Sequence, residues 1–365
     1  MKVSLCTIAY NEESVLNGLL RDFRDQNYPH KNIEIIMVDT GSTDRTHEIM
    51  EEFRDTDNGF YAVKIYNCTG KRNQASAWNV AIEHATGDII IRVDAHSKIP
   101  RQFVSRNVFN IEEGEDIVGG GRPNICANPN PWTKTLLAAE ESLFGSSVAD
   151  YRRPAAQKEY HDSLFHAAYK REVFANVGGF NEDLGRTEDN ELHYRIRQAG
   201  YKLCCCPEII SFQHTRSTFK RMLQQKYGNG YWIGLTLGVC PGCLSYFHFI
   251  PFVFLLALTA TSLVWGLAGQ PVYFAVLMSM YFMFNFVNTV GSFVLKKSLN
   301  PLFLLLPLLF PVLHISYGIG TLVGMIKLPF WKHSLDGSAQ RRIEEIKEAV
   351  KNNTVQYEDT EEKVL

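Results

Sequence analysis

Short apolar runs alternate with stretches of helical spacing over the first hundred residues. The runs at residues 3–8, 33–38, 61–66 and 88–93 are too short for helices and mostly rich in β-branched residues, which predicts strands, three of them buried. Between them, apolar residues recur at intervals of three and four, which predicts helices. Strands that alternate with helices predict βαβ units, so we expect an α/β domain with a mostly parallel, Rossmann-like sheet.

Polar side chains stand where three of these runs end. Tyr10 and Glu12 follow the first run, Asp39 follows the second, and Asp94 and His96 follow the fourth. Right-handed crossovers would bring these carboxyl ends to one edge of the sheet, where open α/β sheets bind their ligands. The sequence therefore predicts a nucleotide-type site at this edge.

Asp94 and His96 also suggest a metal site. They offer an oxygen and a nitrogen two positions apart, so a turning backbone could aim both at one divalent ion. The competing interpretation is a surface turn with an incidental acid, since D-x-H is a short pattern with many accidental matches.

Composition excludes several classes of protein. The chain has 365 residues, a net charge of -2 and a pI of about 6.6, so no basic face for nucleic acid is indicated. Its eight cysteines, three of them consecutive at Cys204, Cys205 and Cys206, lack the spacing of a disulfide scaffold and indicate a reduced, cytosolic setting. No G-x-G-x-x-G follows the first strand and no P-loop is present, which argues against a dinucleotide-binding or P-loop enzyme.

The pattern changes after about residue 230. Residues 231–326 carry only two charges, Lys296 and Lys297, and contain three long apolar stretches at about 244–267, 272–295 and 302–326. Each reaches the ~20 residues that a membrane-spanning helix needs. Basic residues precede the first stretch and follow the second, which predicts a hairpin with both ends in the cytoplasm. The third stretch contains two prolines and either spans with a kink or re-enters on the cytoplasmic side.

Five segments carry a resemblance to a known family. SLCTIAYNEE, VDTGSTDRT, GKRNQASAWNVAIEHATGD and RVDAH occur in this order, followed by YHDSLFHAAYKREVFANVGGFNEDLGRTEDNELHYRIRQAGYKL. They resemble the family 2 glycosyltransferases, which have the GT-A fold. The stretch RSTFKRMLQQKYGNG with apolar spans after it is most similar to the membrane-anchored succinoglycan-type exopolysaccharide glucosyltransferases.

The resemblance implies a UDP-sugar donor and assigns residues to it. Asp39 matches the acid that hydrogen-bonds the base, and Asp94 matches the first acid of the D-x-D motif that holds a divalent metal on the diphosphate. The implied donor-binding residues are Ala9, Tyr10, Glu12, Asp39, Lys71, Asn73, Asp94 and Asp162. Competing interpretations are a solvated helix start for Lys71 and Asn73, and a loop cap for Asp162.

The metal set departs from the family pattern. His96 stands where the second acid of D-x-D is expected, and imidazole favours Mn²⁺ over Mg²⁺, which remains the alternative. His214, after the apolar run 209–212, is a further candidate metal ligand or diphosphate contact, and a structural histidine is the alternative.

The resemblance also assigns the catalytic base. Asp189 is the implied base that removes the acceptor hydroxyl proton, and Glu188 is expected to orient the acceptor site. Adjacent acids at a helix start that only complement the helix dipole are the competing interpretation. The family inverts, so an α-linked donor would give a β-linkage.

The implied acceptor or diphosphate side contains Arg216, Gln225 and Lys226. Processive synthases of this superfamily carry Q-x-x-R-W in this region. That motif is absent here, which argues for the transfer of one sugar per encounter.

We therefore expect three regions: a GT-A catalytic domain at 1–230 (nucleotide half 1–100, acceptor half 101–230), a membrane domain at 231–330 and a charged cytoplasmic tail at 331–365. The expected function is transfer of a hexose, glucose or galactose, from a UDP-sugar to a polyprenyl-diphosphate-linked saccharide in bacterial exopolysaccharide or cell-surface glycan synthesis. The enzyme would lie in the inner membrane as a multi-pass protein, with its catalytic domain in the cytoplasm and other polysaccharide-assembly enzymes as partners.

Two alternatives stay open. A polyprenyl-phosphate glycosyltransferase would use the lipid phosphate itself as the acceptor, and a basic cluster before the first span favours it. A non-catalytic sugar-nucleotide sensor or membrane scaffold would need no acceptor-side base.

Overall fold

The structure is a computed structural model that describes residues 1–68, 73–126, 128–145, 156–215, 218–296 and 300–361. The chain folds into two compact units that interleave along the sequence. The first comprises Met1–Pro123, Tyr151–Gln213 and Leu335–Leu365, and the second comprises Asn124–Asp150 and His214–Ser334. The two units interleave along the sequence, so they do not test the predicted domain boundary at residue 230, which remains a prediction.

The first unit is built on a sheet with helices on both faces. Its strands are β1 (Val3–Ala9), β2 (Ile33–Asp39), β3 (Ala62–Asn67), β4 (Ile89–Arg92), β5 (Ser97–Lys98) and β6 (Ile117–Gly121), and, after β7 (Asn124–Ile125) of the second unit, β8 (Glu159–His161), β9 (Ala168–Lys170) and β10 (Leu203–Ile210). They are followed by β11 (Phe212–His214), whose last residue belongs to the second unit. Its helices are α1 (Leu16–Arg24), α2 (Thr46–Asp55), α3 (Gln74–Glu83) and α4 (Phe103–Glu112), and, after α5 (Pro131–Glu141) of the second unit, α6 (Arg171–Val177) and α7 (Glu188–Gln198).

The main sheet has eight strands in the order β3-β2-β1-β4-β9-β6-β10-β8. The pairs β1–β2, β2–β3, β1–β4 and β6–β10 are parallel, which confirms the predicted mostly parallel sheet. β9 runs antiparallel between β4 and β6, and β8 runs antiparallel to β10. In the register, Ala9 lies opposite Asp39, so the polar residues that follow β1 and β2 begin at the same level of the sheet.

Alternating side chains of the buried strands divide the core into two layers. Val3 and Leu5 pack with helix α1 on one face, where Leu16, Leu19 and Phe23 are fully buried. Cys6 and Ile8 point to the other face and pack with Trp78 of α3, α6 and α7. Burial of both faces explains why β1, β2 and β4 are continuous apolar runs.

The second unit is mainly helical. Three of its segments are long and apolar enough to cross a membrane, Tyr246–Ala268, Val272–Val294 and Pro301–His333, as predicted. Its long helices after α5 are α8 (Phe219–Thr236), α9 (Ile250–Ala268), α10 (Val272–Lys296) and α11 (Leu306–His333). Of the two prolines in the third predicted stretch, Pro307 is in the first turn of α11 and Pro311 lies inside the helix.

The C-terminal segment returns to the first unit as helix α12 (Ser338–Glu361). The sequence predicts a charged tail here, whereas the side chains of Ile343, Ile346 and Val350 are buried against the first unit. Their spacing of three and four residues places them on one face of α12, so the helix has a docked side and a solvent side.

Candidate active site

The ends of β1 and β2 are joined by hydrogen bonds around Asp39. Asp39 is 4% exposed, and its Oδ1 accepts hydrogen bonds from the Ser42 amide at 3.0 Å and the Ser42 hydroxyl at 2.7 Å. Its other oxygen, Oδ2, lies 3.2 Å from His47 Nδ1. The carboxylate is therefore held rigidly at the strand end where the sequence predicts the base-binding acid.

The loop after β1 is fixed to the loop after β2. Asn11 adopts a φ of 53°, and its Oδ1 accepts from the Thr43 amide at 2.8 Å. The Glu12 amide donates to Thr46 Oγ1 at 2.8 Å. Ala9 is buried beneath this loop, whereas Tyr10 is 59% exposed. Tyr10 therefore offers an open aromatic surface beside Asp39.

Asp94 lies just after β4 in a buried polar cluster. It is 6% exposed, with Oδ1 3.8 Å from Arg92 Nη2 and Oδ2 3.7 Å from His166 Nε2. Burial acts to raise the pKa of this carboxyl, but the contact with His166 and the charge of Arg92 outweigh burial and hold the pKa well below its usual range. Asp94 is therefore ionised at neutral pH.

Arg92 is the buried cation of this cluster and was not predicted as a site residue. Its guanidinium lies 4.7 Å from the ring centre of Trp78, and 5.5 Å from those of both Phe165 and Phe180. Burial acts to lower the pKa of Arg92, but the charges of the neighbouring acids have a larger effect, so its pKa is raised above the ordinary value. A charged residue inside the otherwise apolar run 88–93 was the signal that could have found it.

Glu188 and Asp189 begin helix α7, as predicted. Glu188 is 2% exposed and its Oε2 is buried without a hydrogen-bond partner among the described residues. Burial and the charge of Asp189 raise the pKa of Glu188 to about 8, so Glu188 is protonated at neutral pH. Burial also raises the pKa of Asp189, the charge of Asp94 adds to this, and the charge of Arg92 opposes it. These charge effects place the pair in the same cluster as Arg92 and Asp94.

Two buried histidines support the cluster, and each is held between two hydroxyl groups. His166 Nε2 lies 2.9 Å from Ser97 Oγ, and its Nδ1 lies 2.9 Å from Ser211 Oγ. His193, one helical turn after Asp189, lies 2.9 Å from Ser163 Oγ and 2.8 Å from the Tyr169 hydroxyl.

Both of these histidines are neutral at physiological pH. Burial lowers the pKa of His166 to about 4 and that of His193 to about 3. The backbone φ of His166 is 48°, a strained conformation for a residue with a side chain, so the fold holds this imidazole in place against a local cost. Neither histidine was predicted, although His193 lies four residues after the predicted base Asp189 on the same helix, whereas His166 reaches Asp94 from a distant part of the chain.

His96 is engaged on both ring nitrogens. Its Nδ1 lies 3.4 Å from Glu12 Oε1, and its Nε2 lies 2.8 Å from Gln213 Nε2, an amide group that can only donate. The lone pair of His96 Nε2 is thus used by Gln213 in this arrangement. Among the described residues, no three His, Cys, Asp or Glu side chains are grouped to hold a metal ion. The metal set Asp94, His96 and His214 therefore stays a prediction.

Two further donor-side residues have structural partners. Asn73 caps α3, because its Oδ1 accepts from the Ser76 amide at 2.9 Å, and its Nδ2 donates to the Glu182 carbonyl at 2.7 Å. The side chain of Asp162 is 87% exposed and accepts from Arg197 Nη1 at 2.8 Å. Their donor contacts remain predictions, and the predicted donor residue Lys71 lies outside the described residues.

The predicted acceptor-side residues belong to the second unit or lie outside the described part of the chain. Lys226 is 3% exposed, and its ammonium lies 3.2 Å from Glu140, so it forms a buried ion pair within that unit. Gln225 is half-buried on the same helix, and His214 is also part of the second unit. Arg216 lies outside the described residues.

Comparison with known proteins supports the resemblance. Residues 4–178 match the family model described as glycosyl transferase family 2. A dolichyl N-acetyl-alpha-D-glucosaminyl phosphate 3-beta-D-2,3-diacetamido-2,3-dideoxy-beta-D-glucuronosyltransferase of Methanococcus voltae is 27% identical over 331 residues, 89% of this chain and 97% of that protein. The succinoglycan biosynthesis protein ExoA of Rhizobium meliloti is 27% identical over 227 residues, 60% of this chain and 65% of that protein.

A solved structure shares the fold. The mannosyltransferase PcManGT of Pyrobaculum calidifontis, in complex with GDP-Man and Mn²⁺, is similar with a TM-score of 0.60 at 19% identity, over 88% of this chain and 87% of that chain. The predicted GT-A-like, mostly parallel sheet is thereby confirmed. Residues 4–178 therefore match glycosyl transferase family 2, and three long apolar helices follow in the C-terminal part of the chain.

Proposed function

We propose that the protein is an inverting, metal-dependent glycosyltransferase. It transfers one hexose from a nucleoside-diphosphate sugar, expected to be UDP-linked, to a lipid-linked saccharide at the cytoplasmic face of a membrane. The observation that carries the proposal is the buried cluster in which Asp94 and Arg92 of the nucleotide half share a charge environment with Glu188 and Asp189 of the acceptor half.

Asp189 acts as the base in this proposal. A sugar hydroxyl is a poor nucleophile until its proton is removed, and a carboxylate with a raised pKa accepts that proton near neutral pH more readily than an ordinary one. Its neighbour Glu188 is protonated at neutral pH, so it can donate a hydrogen bond. The two adjacent acids thus have different roles.

Asp94 fits the role of a ligand to a divalent cation. It is ionised, and neither of its oxygens has a hydrogen-bond partner nearer than the contacts to Arg92 and His166 among the described residues. A carboxylate with oxygen lone pairs available suits Mn²⁺ or Mg²⁺. The bound cation would stabilise the negative charge that builds on the departing nucleoside diphosphate. His96 could bind the cation through its Nε2 only if the hydrogen bond from the Gln213 amide to this nitrogen is broken.

The names of the relatives support the proposed acceptor class and guide the choice of donors to test. The name of the Methanococcus voltae relative describes transfer of a uronosyl group to a dolichyl-linked N-acetylglucosaminyl phosphate, and ExoA is named for succinoglycan biosynthesis. The apolar helices of the second unit provide the membrane location that a lipid-linked acceptor requires. PcManGT was solved with GDP-Man and Mn²⁺, so the donor panel must contain GDP-sugars as well as UDP-sugars.

Transfer assays in membranes containing the protein test the proposal. UDP- and GDP-sugars are supplied with Mn²⁺, Mg²⁺ or EDTA, and with lipid-linked saccharides or bare polyprenyl phosphate as acceptors. We expect metal-dependent transfer from a UDP-hexose to a lipid-linked saccharide, with a β-linkage visible in the anomeric NMR signal of the product. Transfer to bare polyprenyl phosphate would instead establish the alternative acceptor, and an α-linked product would overturn inversion.

Substitution of the base gives the residue-level test. Asp189→Asn should lower kcat by roughly 10²–10⁴-fold while leaving nucleotide binding nearly unchanged, because only proton removal is lost. Glu113→Gln, an exposed carboxylate at the end of α4, serves as the control and should keep wild-type turnover. Wild-type turnover by Asp189→Asn would overturn the base assignment.

A further inference from the structure

We propose that only α9 and α10 cross the membrane, as a hairpin, and that α11 lies in the membrane interface on the catalytic side without crossing it. The proposal rests on the membrane location given above but not on the identity of the reaction. Three segments are long enough to cross, so length and composition leave the number of crossings open. The structure supplies three independent arguments for two crossings.

The first argument is connectivity. The first unit contains both the chain before the apolar helices and α12 after them. Ile346 and Val350 of α12 share a buried core cluster with strand residues such as Ile36, and Arg342 of α12 forms an ion pair with Glu83 of α3. Segments that share one core lie on the same side of a membrane. The chain between them must therefore cross an even number of times.

The second argument concerns what α11 packs against. Its first half joins α5 in one cluster, where Leu306, Phe310 and Leu313 pack with Leu136 and Ala139. The nearby Asn300 side chain donates to the Pro131 carbonyl at 2.7 Å, which fixes the entry to α11 at the start of α5.

The second half of α11 packs closely against α8 through glycines on both helices. A Cβ on Gly234 would meet the Thr321 carbonyl at 2.6 Å, and one on Gly320 or Gly324 would clash with the carbonyls of Tyr227 or Tyr231. Small residues of this kind allow two helix backbones to approach directly. Both α5 and α8 precede the first candidate span in the sequence, so each half of α11 contacts uncrossed chain. Helix α11 also contacts the hairpin, because a Cβ on Gly318 would meet the Pro251 carbonyl of α9 at 2.7 Å and His314 Nδ1 lies 2.9 Å from the Tyr281 hydroxyl of α10.

The third argument is the surface of α11. Its large exposed apolar residues recur along one stripe, whereas the opposite face packs on α5 and α8. A helix with one lipid-facing stripe and one protein-facing side suits a position in the interface plane. By contrast, none of the apolar window of Tyr246–Ala268 is buried in the structure. The exposed stripe of α11 consists of Leu308, Val312, Ile319, Ile326 and Phe330.

The charge pattern agrees with this arrangement. The turn between α9 and α10, residues 269–271, is uncharged, whereas Lys296, Lys327 and Lys332 border the ends of α10 and α11. The positive-inside rule therefore puts both ends of the hairpin and both ends of α11 on the cytoplasmic side.

Protease protection in spheroplasts tests the proposal on the full chain. One epitope tag is inserted after Gln270 in the hairpin turn, and a second is added after Leu365. We expect added protease to remove the turn tag and leave the C-terminal tag intact until the membrane is permeabilised. Removal of the C-terminal tag in intact spheroplasts would show an odd number of crossings and overturn the proposal. Protection of both tags would overturn the hairpin.

Two controls keep this test independent of folding and of activity. Each tagged chain should unfold at the same temperature as the untagged chain. If the turn insertion lowers the unfolding temperature, the Gln270→Cys variant replaces the tagged chain and is labelled with a membrane-impermeant maleimide. The unsubstituted chain then measures background labelling of the native cysteines. The same tags in the Asp189→Asn variant should give the same pattern, so a failure of the proposed reaction and a failure of the proposed topology are distinguishable.

Discussion

Arg92 is the last residue of β4 and Asp94 follows two positions later, with Arg92 Nη2 3.8 Å from Asp94 Oδ1. Both side chains are more than nine-tenths buried. The aromatic rings of Trp78, Phe165 and Phe180 surround the guanidinium, so these rings, and not water, provide much of its solvation. This relationship joins the strand that bears the candidate metal ligand to the helix that bears the candidate base, because Arg92 also acts electrostatically on Asp189.

Arg92→Met should destabilise the protein by roughly 3–5 kcal/mol, because it leaves buried acids without their cation. It should also weaken nucleotide binding in the presence of Mn²⁺, because Asp94 loses the neighbouring guanidinium that helps to hold its carboxylate in place. Thermal unfolding and calorimetric titration with UDP measure the two effects. The double variant with Asp94→Asn is the matched control, and it should lose less than the sum of the two single variants. Strict additivity would show that the two residues do not interact.

The protonation of Glu188 gives a pH-dependent stability. Its pKa in the folded protein is about 8, above the ordinary value of 4.5, so the folded state binds a proton that the unfolded state releases. The stabilisation of the folded state by this proton is complete below about pH 4.5 and is lost as pH rises to about 8. Over this range the free energy of unfolding falls by on the order of 1.4 kcal/mol per pH unit. Glu188→Gln resembles the protonated form and lacks this dependence.

We therefore expect the unfolding temperature of the wild type to fall relative to that of Glu188→Gln between pH 5 and pH 8, and the difference to level off above pH 9. Differential scanning fluorimetry in detergent across this range measures it. Glu113→Gln, which changes an exposed carboxylate, should follow the wild type at every pH. A constant offset between wild type and Glu188→Gln would mean that Glu188 is ionised in the folded protein.

Local patterns predicted the sheet edge better than they predicted the cluster behind it. The strands that end at Ala9 and Asp39 follow from apolar runs, and parallel pairing then brings their ends together. Asp94 was found at the end of the fourth apolar run, whereas the role of Asp189 came from the family resemblance, and both lie where buried charges meet. Arg92 could have been noticed in the sequence as a charge within an apolar run. An assignment based on periodicity alone disregards such a charge.

His166 left no local signal, whereas the position of His193 four residues after Asp189 on α7 was a local signal that was not used. β9 enters the sheet antiparallel beside β4, and this long-range pairing carries His166 to Asp94 across more than seventy residues of sequence. The docking of α12 was equally invisible, since Ile343, Ile346 and Val350 predict an amphipathic helix but not the surface that it covers. Tertiary partners far apart in sequence therefore explain why the place of His166 and the docking of α12 were missed.

Helix α12 should contribute to the stability of the catalytic unit. Ile346 is fully buried, so Ile346→Ala should cost roughly 2–5 kcal/mol through lost burial and the cavity that remains. Lys351→Ala, an exposed change on the same helix, should cost less than about 0.5 kcal/mol. Thermal unfolding monitored by tryptophan fluorescence distinguishes them. Equal effects of the two variants would show that α12 is not docked in solution.

The close approach of α8 and α11 predicts opposite outcomes for two glycines in apolar helices. Gly324→Val should disrupt the second unit, because a Cβ at this position meets the Tyr231 carbonyl of α8 and the helices must separate. Gly266→Ala on α9 should be neutral or stabilising by up to about 1 kcal/mol, because no atom lies within 4 Å of an added Cβ and alanine favours the helix. Unfolding temperatures and yields of monodisperse protein in detergent measure both effects. Tolerance of Gly324→Val at the wild-type unfolding temperature would contradict the packing of α11 on α8, and with it the second argument for an uncrossed α11.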